Sequence, residues 1–257
     1  MNIVRFLVPG LKRPQYGVEN NGKIHVMRGN PYSAFRIRKS APYDVRGVRF
    51  ECPVEPSKIV LVGLNYRDHA EELGMAIPGE PVIFLKPPCS LIGHMGAVIY
   101  PGWVGRLDYE AELAVVIGKV CRRIRPGSAA KYILGYTCLN DVTARDIQKM
   151  DGQWTRAKSF DTFCPVGPCV TTGIRPSGLD ICLTLNGRRR QFSNTGNMIF
   201  GPAEIVSFVS NVMTLLPGDI ISTGTPPGVG PMGPGDTVSV SIEQIGTLTN
   251  TVRAGQE

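Results

Sequence analysis

Glycine and proline interrupt this chain so often that long helices have little room to form. The sequence contains 30 glycines and 21 prolines among 257 residues, and they follow no collagen-like period. Because both residues favour turns and end helices, this usage predicts many turns and short strands. A hydrophobic content of 42% with 19% charged residues is ordinary for a globular protein. The length fits one large domain, with or without a small appendage.

Short strands dominate the predicted elements, and one stretch is a clear helix. AEIVSFVSNVMTLLPGD (203–219) places apolar residues at helical spacing and predicts a helix that ends at Pro217-Gly218. DTVSVSIEQIGTLTNTV (236–252) alternates and predicts a β-hairpin. We therefore expect an α+β, mostly β fold with few short helices, not a βαβ array. A proline-rich and charged stretch predicts a boundary between a small β-rich region, residues 1–52, and a larger domain, residues 53–257.

The strand-like segment LDYEAELAVVIGK (107–119) carries three acids at every second position. Because alternate side chains of a strand share a face, Asp108, Glu110 and Glu112 would lie together, about 7 Å apart. A hard divalent cation would relieve their repulsion, and Asp141, after a second apolar strand, offers another oxygen ligand. Three carboxylates without histidine or cysteine favour Mg²⁺ or Mn²⁺ over Zn²⁺. The alternative is a solvated edge strand whose acids face water.

A short helix predicted in DHAEELGM (68–75) carries a candidate general base. Asp68 is expected to N-cap this helix, with Glu71 completing a capping box. Glu72 lies three residues after His69 on the same helical face, where its carboxylate can orient the imidazole. His69 is therefore a candidate base, and the alternative is a surface histidine at a helix end.

Two lysines and one turn are candidates for contacting an anionic substrate. Lys86 in VIFLKPP and Lys158 in TRAKSFD could each hold a carboxylate or enolate oxygen beside a metal, or could be surface lysines with buried alkyl stems. The segment STGTPPGVG (222–230) could be a plain loop or an anion-binding turn. It lacks the lysine and the spacing of a P-loop, which argues against nucleotide binding.

The net charge of +7 makes a basic nucleic-acid-binding β-protein the non-enzyme alternative. The basic residues form separate short clusters without interleaved aromatics, and a small anionic substrate explains the charge equally well. One cluster, Arg188–Arg190, follows Asn186-Gly187, a strong hairpin signal, and is expected on a solvated strand. No apolar run approaches the roughly 18 residues that span a bilayer, and no signal peptide is recognisable. We expect a cytoplasmic protein without membrane or nucleic-acid partners.

Six segments, in this order, resemble the fumarylacetoacetate hydrolase family. Each is weak alone, but together they are specific and span about residues 55–250: GLNYRDHAEELG, VIFLKPP, LDYEAELAVVIG, GYTCLNDVTARDIQ, AKSFDTFCPVGP and STGTPPGVG. The resemblance implies a mixed β-roll that is usually a homodimer. The chain is similar to the short, single-domain members of this family, which act on acylpyruvates, oxaloacetate or ring-cleavage dienoates.

The resemblance also implies roles for individual residues. The family's motifs contain ligands for Mg²⁺ or Mn²⁺, a catalytic group that includes the histidine and glutamate of a lid helix, and two substrate-binding residues. The position of Lys86 makes it a third candidate for substrate binding. The residues are Glu110, Glu112 and Asp141 for the metal, His69, Glu72 and Lys158 for catalysis, and Lys86, Gln148 and Thr225 for the substrate. Some members have an acidic ligand seven residues before the histidine; Val62 stands there in this chain, which leaves the ion more water.

These residues predict a divalent-metal-dependent enzyme that acts on small 2-oxo or 2,4-dioxo acids through a metal-stabilised enolate. Water attack on a 4-oxo carbonyl would give C–C hydrolysis, and proton movement alone would give keto–enol tautomerisation or isomerisation. A substrate with a β-carboxylate would permit decarboxylation, as in an oxaloacetate decarboxylase. The shared enolate leaves these outcomes open.

Overall fold

The computed structural model describes residues 1–255, which fold mainly into β-strands. Within this range the strands form a 13-stranded, a 5-stranded and a 3-stranded sheet, and the longest helix has 11 residues. The predicted mostly β fold with few short helices is therefore confirmed.

The strands are β1 (Asn2–Leu7), β2 (Gln15–Asn20), β3 (Lys23–Arg28), β4 (Arg36–Ile37), β5 (Tyr43–Asp44), β6 (Arg49–Glu51), β7 (Ile59–Val62), β8 (Ile83–Lys86), β9 (Leu91–Ile92), β10 (Ala97–Tyr100), β11 (Leu107–Tyr109), β12 (Ala111–Ile117), β13 (Ile133–Asn140), β14 (Thr143–Ala144), β15 (Cys164–Thr171), β16 (Asp180–Leu185), β17 (Arg188–Asn194), β18 (Ile220–Ser222), β19 (Gly230–Met232), β20 (Thr237–Ile242) and β21 (Gly246–Ala254). The α-helices are α1 (Arg67–Leu73), α2 (Arg145–Asp151), α3 (Thr155–Lys158) and α4 (Pro202–Val212).

The N-terminal strands belong to the large sheet. β1 pairs antiparallel with β15, with Asn2 opposite Thr171 and Ile3 opposite Val170, and β2 and β3 continue the sheet outward from β1. Strands on both sides of the predicted boundary at residues 52 and 53 thus share one sheet, and the boundary stays a prediction.

The acidic segment changes sheets at Glu110. β11 pairs with β14 and β19 in the small sheet, whereas β12 lies between β13 and β18 in the large sheet. The prediction of one continuous strand is therefore wrong, and so is the solvated edge-strand alternative. All seven residues of β12 are buried, as expected for a strand with neighbours on both edges and packing on both faces.

Both predicted hairpins form in the structure, but one predicted helix boundary differs from it. The hairpin of β20 and β21 is confirmed, as is the turn at Asn186-Gly187, whose positive φ angles of 52° and 74° suit a type I′ turn. The predicted end of α4 at Pro217 is wrong, because the helix stops at Val212. Leu215 instead forms an antiparallel bridge with Cys121 and is buried there.

No helix in the part of the chain that the structure describes is long and apolar enough to cross a membrane. The structure consists of a single chain, so the homodimer stays a prediction, as does the cytoplasmic location.

Close packing of β13 against β15 generates the first prediction. A Cβ at Gly135 would lie 2.4 Å from the Thr171 carbonyl oxygen, so Gly135→Ala must shift backbone atoms. We expect this variant to lose about 1–3 kcal/mol of unfolding free energy, measured by urea denaturation. Gly127→Ala is the matched control, because a Cβ there meets no heavy atom within 4 Å. Equal stability of the two variants would contradict the packing argument.

Candidate active site

A cleft of about 670 Å³ opens where the acidic segment passes from the small sheet to the large one. Seven of the nine predicted site residues line it: His69, Glu72, Glu110, Glu112, Gln148, Lys158 and Thr225. The other two, Lys86 and Asp141, are fully buried beneath this lining.

Three buried carboxylates form the floor of the cleft. One ligand oxygen from each of Glu110, Glu112 and Asp141 lies within 4.8 Å of the other two. Pairing of β12 with β13 sets Ala111 opposite Asn140 and brings the segments together. The Asn140 side-chain oxygen accepts from the Glu110 amide at 2.9 Å, and the Asp141 amide donates to the Glu110 carbonyl at 2.9 Å. The predicted metal-ligand triad is thus assembled by main-chain geometry.

Two of the three carboxylates have cationic partners. Lys158 Nζ lies 3.0 Å from Glu110 Oε2 and also donates to Asp141 Oδ2. Arg145 Nη2 lies 2.5 Å from Glu110 Oε1. Burial disfavours ionisation of Glu110, but Lys158 and Arg145 outweigh it and hold the pKa of this carboxyl below its usual value. Burial also opposes the charge of Lys158, yet Asp141 and Glu110 raise the pKa of its ammonium group.

Within the triad, Glu112 is the carboxylate that forms no ion pair with any residue in the range 1–255. It accepts hydrogen bonds from the Ser222 hydroxyl and from the Gly224 amide at 3.0 Å. Burial, followed by the charges of Asp141 and Glu110, raises its pKa well above 4.5. An oxygen-only set of three carboxylates, one of which has no cationic partner, fits a hard divalent cation such as Mg²⁺ or Mn²⁺.

The placement of Lys86 corrects its predicted contact with substrate. Its side chain is 0% exposed, and Nζ lies 2.5 Å from Asp141 Oδ1. The same ammonium donates to the carbonyls of Val142 and Phe163, at 2.9 and 2.5 Å. The Asp141 carboxylate and two carbonyl oxygens therefore surround Lys86 behind the triad, so it supports Asp141 from beneath and does not reach the cleft.

The His69–Glu72 pair forms as predicted. His69 Nδ1 lies 2.8 Å from Glu72 Oε2, three residues along α1. The other carboxylate oxygen, Glu72 Oε1, accepts from the Gly228 amide at 3.1 Å. Glu72 thus binds both the imidazole and the turn that follows β18.

The predicted capping box of α1 is wrong. The N-cap is Tyr66, without a side-chain capping bond, so Asp68 lies inside the first turn. Its carboxylate accepts from the His69 amide at 3.0 Å, and it also accepts from Ser193 Oγ at 2.5 Å and Asn197 Nδ2 at 3.2 Å. Asp68 therefore anchors α1 to the end of β17, a long-range contact that outweighs the local motif.

Arg145 is a site residue that our sequence interpretation missed. It lines the cleft and donates to Asp108 Oδ2 at 2.8 Å, to Glu110 Oε1, and to Gln148 Oε1 at 2.6 Å. Asp108 is buried and paired with both Arg106 and Arg145, so it is not solvated. The available signal was the spacing of Arg145 and Gln148, three residues apart and therefore on one helical face.

The segment between Ser222 and Gly230 closes another side of the cleft. Thr225 lines the cleft, and its hydroxyl oxygen accepts from Gln191 Nε2 at 2.9 Å. Gln191 is a second residue that our interpretation missed, because it follows the exposed Arg188–Arg190 cluster and belongs to no recognised segment.

Comparison of the sequence with known protein families identifies a family for this chain. Residues 58–253 match the model of the fumarylacetoacetate (FAA) hydrolase C-terminal domain. The chain belongs to the fumarylacetoacetate hydrolase family. The family resemblance of the six sequence segments is therefore confirmed over most of the chain.

Relatives within the fumarylacetoacetate hydrolase family carry names of different reactions. The mitochondrial oxaloacetate tautomerase Fahd2a of Rattus norvegicus is 36% identical, with 98% of this chain and 91% of that protein covered. The structure of 2-hydroxyhepta-2,4-diene-1,7-dioate isomerase from Mycobacterium marinum is 40% identical, with a TM-score of 0.92 and 100% of both chains covered. The structure of maleylpyruvate hydrolase from Sphingobium sp. SYK-6, in complex with manganese(II) and pyruvate, is 32% identical, with a TM-score of 0.83 and 100% of both chains covered.

The raised pKa of Glu112 predicts a stability that depends on pH and on metal. Because the folded chain holds a proton on Glu112 more tightly than the unfolded chain, metal-free wild type should lose stability relative to Glu112→Gln as the pH rises above 4.5. In chelator at pH 8, Glu112→Gln should be more stable by about 1 kcal/mol or more. Mn²⁺ should stabilise the wild type more than the variant. Thermal denaturation tests this, with Glu71→Gln as the exposed control, and a less stable Glu112→Gln variant in chelator would contradict it.

Proposed function

We propose that this protein is a divalent-metal-dependent enzyme that acts on small 2-oxo acids by stabilising an enolate, with keto–enol tautomerisation or isomerisation as the favoured reaction. The observation that carries this proposal is the buried triad of Glu110, Glu112 and Asp141 beside Lys158 on the floor of the cleft. The rat oxaloacetate tautomerase and the Mycobacterium marinum isomerase, which cover nearly all of this chain, support the favoured reaction.

The triad would hold Mg²⁺ or Mn²⁺, and the bound ion would supply Lewis-acid stabilisation of negative charge on the substrate oxygens. The manganese ion in the maleylpyruvate hydrolase structure supports this assignment. Ser222 and the Gly224 amide keep Glu112 directed at the triad. Lys86 does the same for Asp141 from the opposite side.

The cationic and amide side chains of the cleft bind and orient the substrate. Lys158 presents a buried ammonium group beside the triad, where it can donate to a carboxylate or enolate oxygen. Gln148 is held by Arg145, and Thr225 offers a hydroxyl group on the other side of the cleft. Pyruvate in the related hydrolase is a 2-oxo acid, which supports this substrate class.

His69 moves the proton. Because Glu72 contacts Nδ1, the tautomer with the hydrogen on Nδ1 is favoured and Nε2 is left to accept a proton. In a tautomerisation, the proton that leaves the enol oxygen is matched by one delivered to the adjacent carbon. No water is consumed in that reaction.

The His69–Glu72 pair also supports C–C hydrolysis as a second candidate reaction. A base beside the cleft can take the proton of a water molecule that attacks a 4-oxo carbonyl. The named reaction of the Sphingobium relative, at 32% identity, is consistent with this alternative.

A substrate panel tests the reaction class. We expect the enzyme to accelerate enol–keto conversion of oxaloacetate, monitored by ultraviolet absorbance, and to lose this activity in chelator and regain it with Mg²⁺ or Mn²⁺. The same panel should contain acylpyruvates, muconate-type diacids and a pyruvate-release assay for decarboxylation. Exclusive C–C cleavage would favour the second candidate, and turnover that is unaffected by chelator or by Glu112→Gln would contradict the metal-dependent mechanism.

Two substitutions separate the reactions. In His69→Ala we expect hydrolysis to fall by on the order of 10²-fold, because attack on a carbonyl needs a base. Tautomerisation should fall less, because solvent water can carry its proton. Lys158→Ala should impair every reaction of the panel, since the ammonium group stabilises the shared enolate. His25→Ala, in β3 and outside the cleft lining, is the matched control, and an unchanged rate of hydrolysis in His69→Ala would refute the assignment of the base.

A further inference from the structure

We propose that Gln191 is a positioning residue that sets the place of Thr225 in the cleft, an inference that rests on the proposed function for its kinetic consequence. The segment concerned, residues 223–229, is called here the Thr225 turn. It follows β18 and carries Thr225 and Val229 in the cleft lining.

The proposal starts from the separation of two paired strands. β12 and β18 pair through Ala114 and Ser222, and just beyond this pair the Thr223 amide still donates to the Leu113 carbonyl at 3.0 Å. Farther along β12, the Ala111 amide bonds to a side chain instead, the Gln191 Oε1 atom at 2.9 Å. The Gln191 amide thus replaces the missing strand partner, at the residue between Glu110 and Glu112.

The opposite end of the same amide holds the Thr225 turn. Gln191 Nε2 donates to Thr225 Oγ1 at 2.9 Å and to the Pro226 carbonyl at 2.8 Å. The side chain is 1% exposed and uses its acceptor and both of its donors. Because Thr225 accepts from Gln191, the hydroxyl hydrogen of Thr225 remains to donate to an anion in the cleft.

The main chain of β17 supports the turn at the neighbouring residue. A Cβ at Gly228 would lie 2.3 Å from the Arg190 carbonyl oxygen, so the turn packs directly on the strand. The Gly228 amide in turn donates to Glu72 on α1. Gln191 therefore joins β12 to the turn that carries the predicted substrate-binding threonine and that contacts α1.

Kinetics of an isosteric series test this role. Gln191→Met keeps the size of the side chain and removes its hydrogen bonds, and we expect KM for the best 2-oxo acid to rise about tenfold while kcat changes less, the effect of one misplaced hydrogen bond to an anion. Thr225→Val should raise KM similarly. The double variant should be no worse than the poorer single variant, because Gln191 acts through Thr225.

Asn250→Leu is the matched control. Asn250 is another buried amide, 1% exposed, that donates to the carbonyls of Gly93 and Gly96 outside the cleft lining. This variant should lose stability but keep the wild-type KM. Multiplicative effects of Gln191→Met and Thr225→Val, or a KM for Gln191→Met within twofold of wild type, would overturn the proposal.

Hydrogen exchange separates this proposal from the proposed function. Amides of the Thr225 turn should exchange faster in Gln191→Met than in wild type or Asn250→Leu, whether or not any substrate is turned over. Absence of turnover in the wild type would defeat the proposed function only, whereas unchanged exchange in the turn would defeat the role of Gln191. If Gln191→Met does not fold, Gln191→Glu takes its place, since it keeps the acceptor for Ala111 and, when ionised, lacks the donors for Thr225 and Pro226.

Discussion

Mutual repulsion of three buried carboxylates is the constraint around which this protein is built. Coulomb energies are large where water is excluded, so Glu110, Glu112 and Asp141 can share a site only if fixed charges surround them. Lys158 and Arg145 face two of them from the cleft, and Lys86 meets Asp141 from beneath. A divalent metal ion would supply the cationic partner that Glu112 lacks.

The change of sheet at Glu110 gives this cluster its access to solvent. Had the acidic segment continued as one strand of the large sheet, neighbouring strands would have flanked it over its whole length. Because β11 and β12 belong to different sheets, the chain opens between them and exposes carboxylate oxygens to a cleft while the flanking backbone remains hydrogen-bonded. Two side-chain amides, those of Asn140 and Gln191, replace the ladder bonds that the opening removes.

Sequence patterns predicted the features that depend on interactions between residues close together in the chain. Alternation located the hairpin of β20 and β21, and the spacing of His69 and Glu72 predicted a contact that lies within a single turn of helix. Asp141, which lies 31 residues after Glu110, was found from its place after a second apolar strand, and the family resemblance supported it. Long-range competition explains the failures: Asp68 lies inside α1 and bonds to Ser193, so it is not the N-cap, and α4 ends early because Leu215 pairs with Cys121. Burial of Lys86 behind Asp141 and the role of Gln191 depend on packing between distant segments, which periodicity does not report.

The two oxygens of Glu72 connect the proposed base with the opposing wall of the cleft. One oxygen aligns the imidazole of His69, and the other is bound by the Gly228 amide of the opposing turn. If α1 moved away from the turn, the carboxylate would lose the Gly228 amide, and His69, the proposed base, would lose a fixed partner at the same moment. An open cleft, which admits bulk water, would thus be paired with a base whose partner is not fixed. A single carboxylate would in this way couple the position of α1 to the alignment of the proposed base.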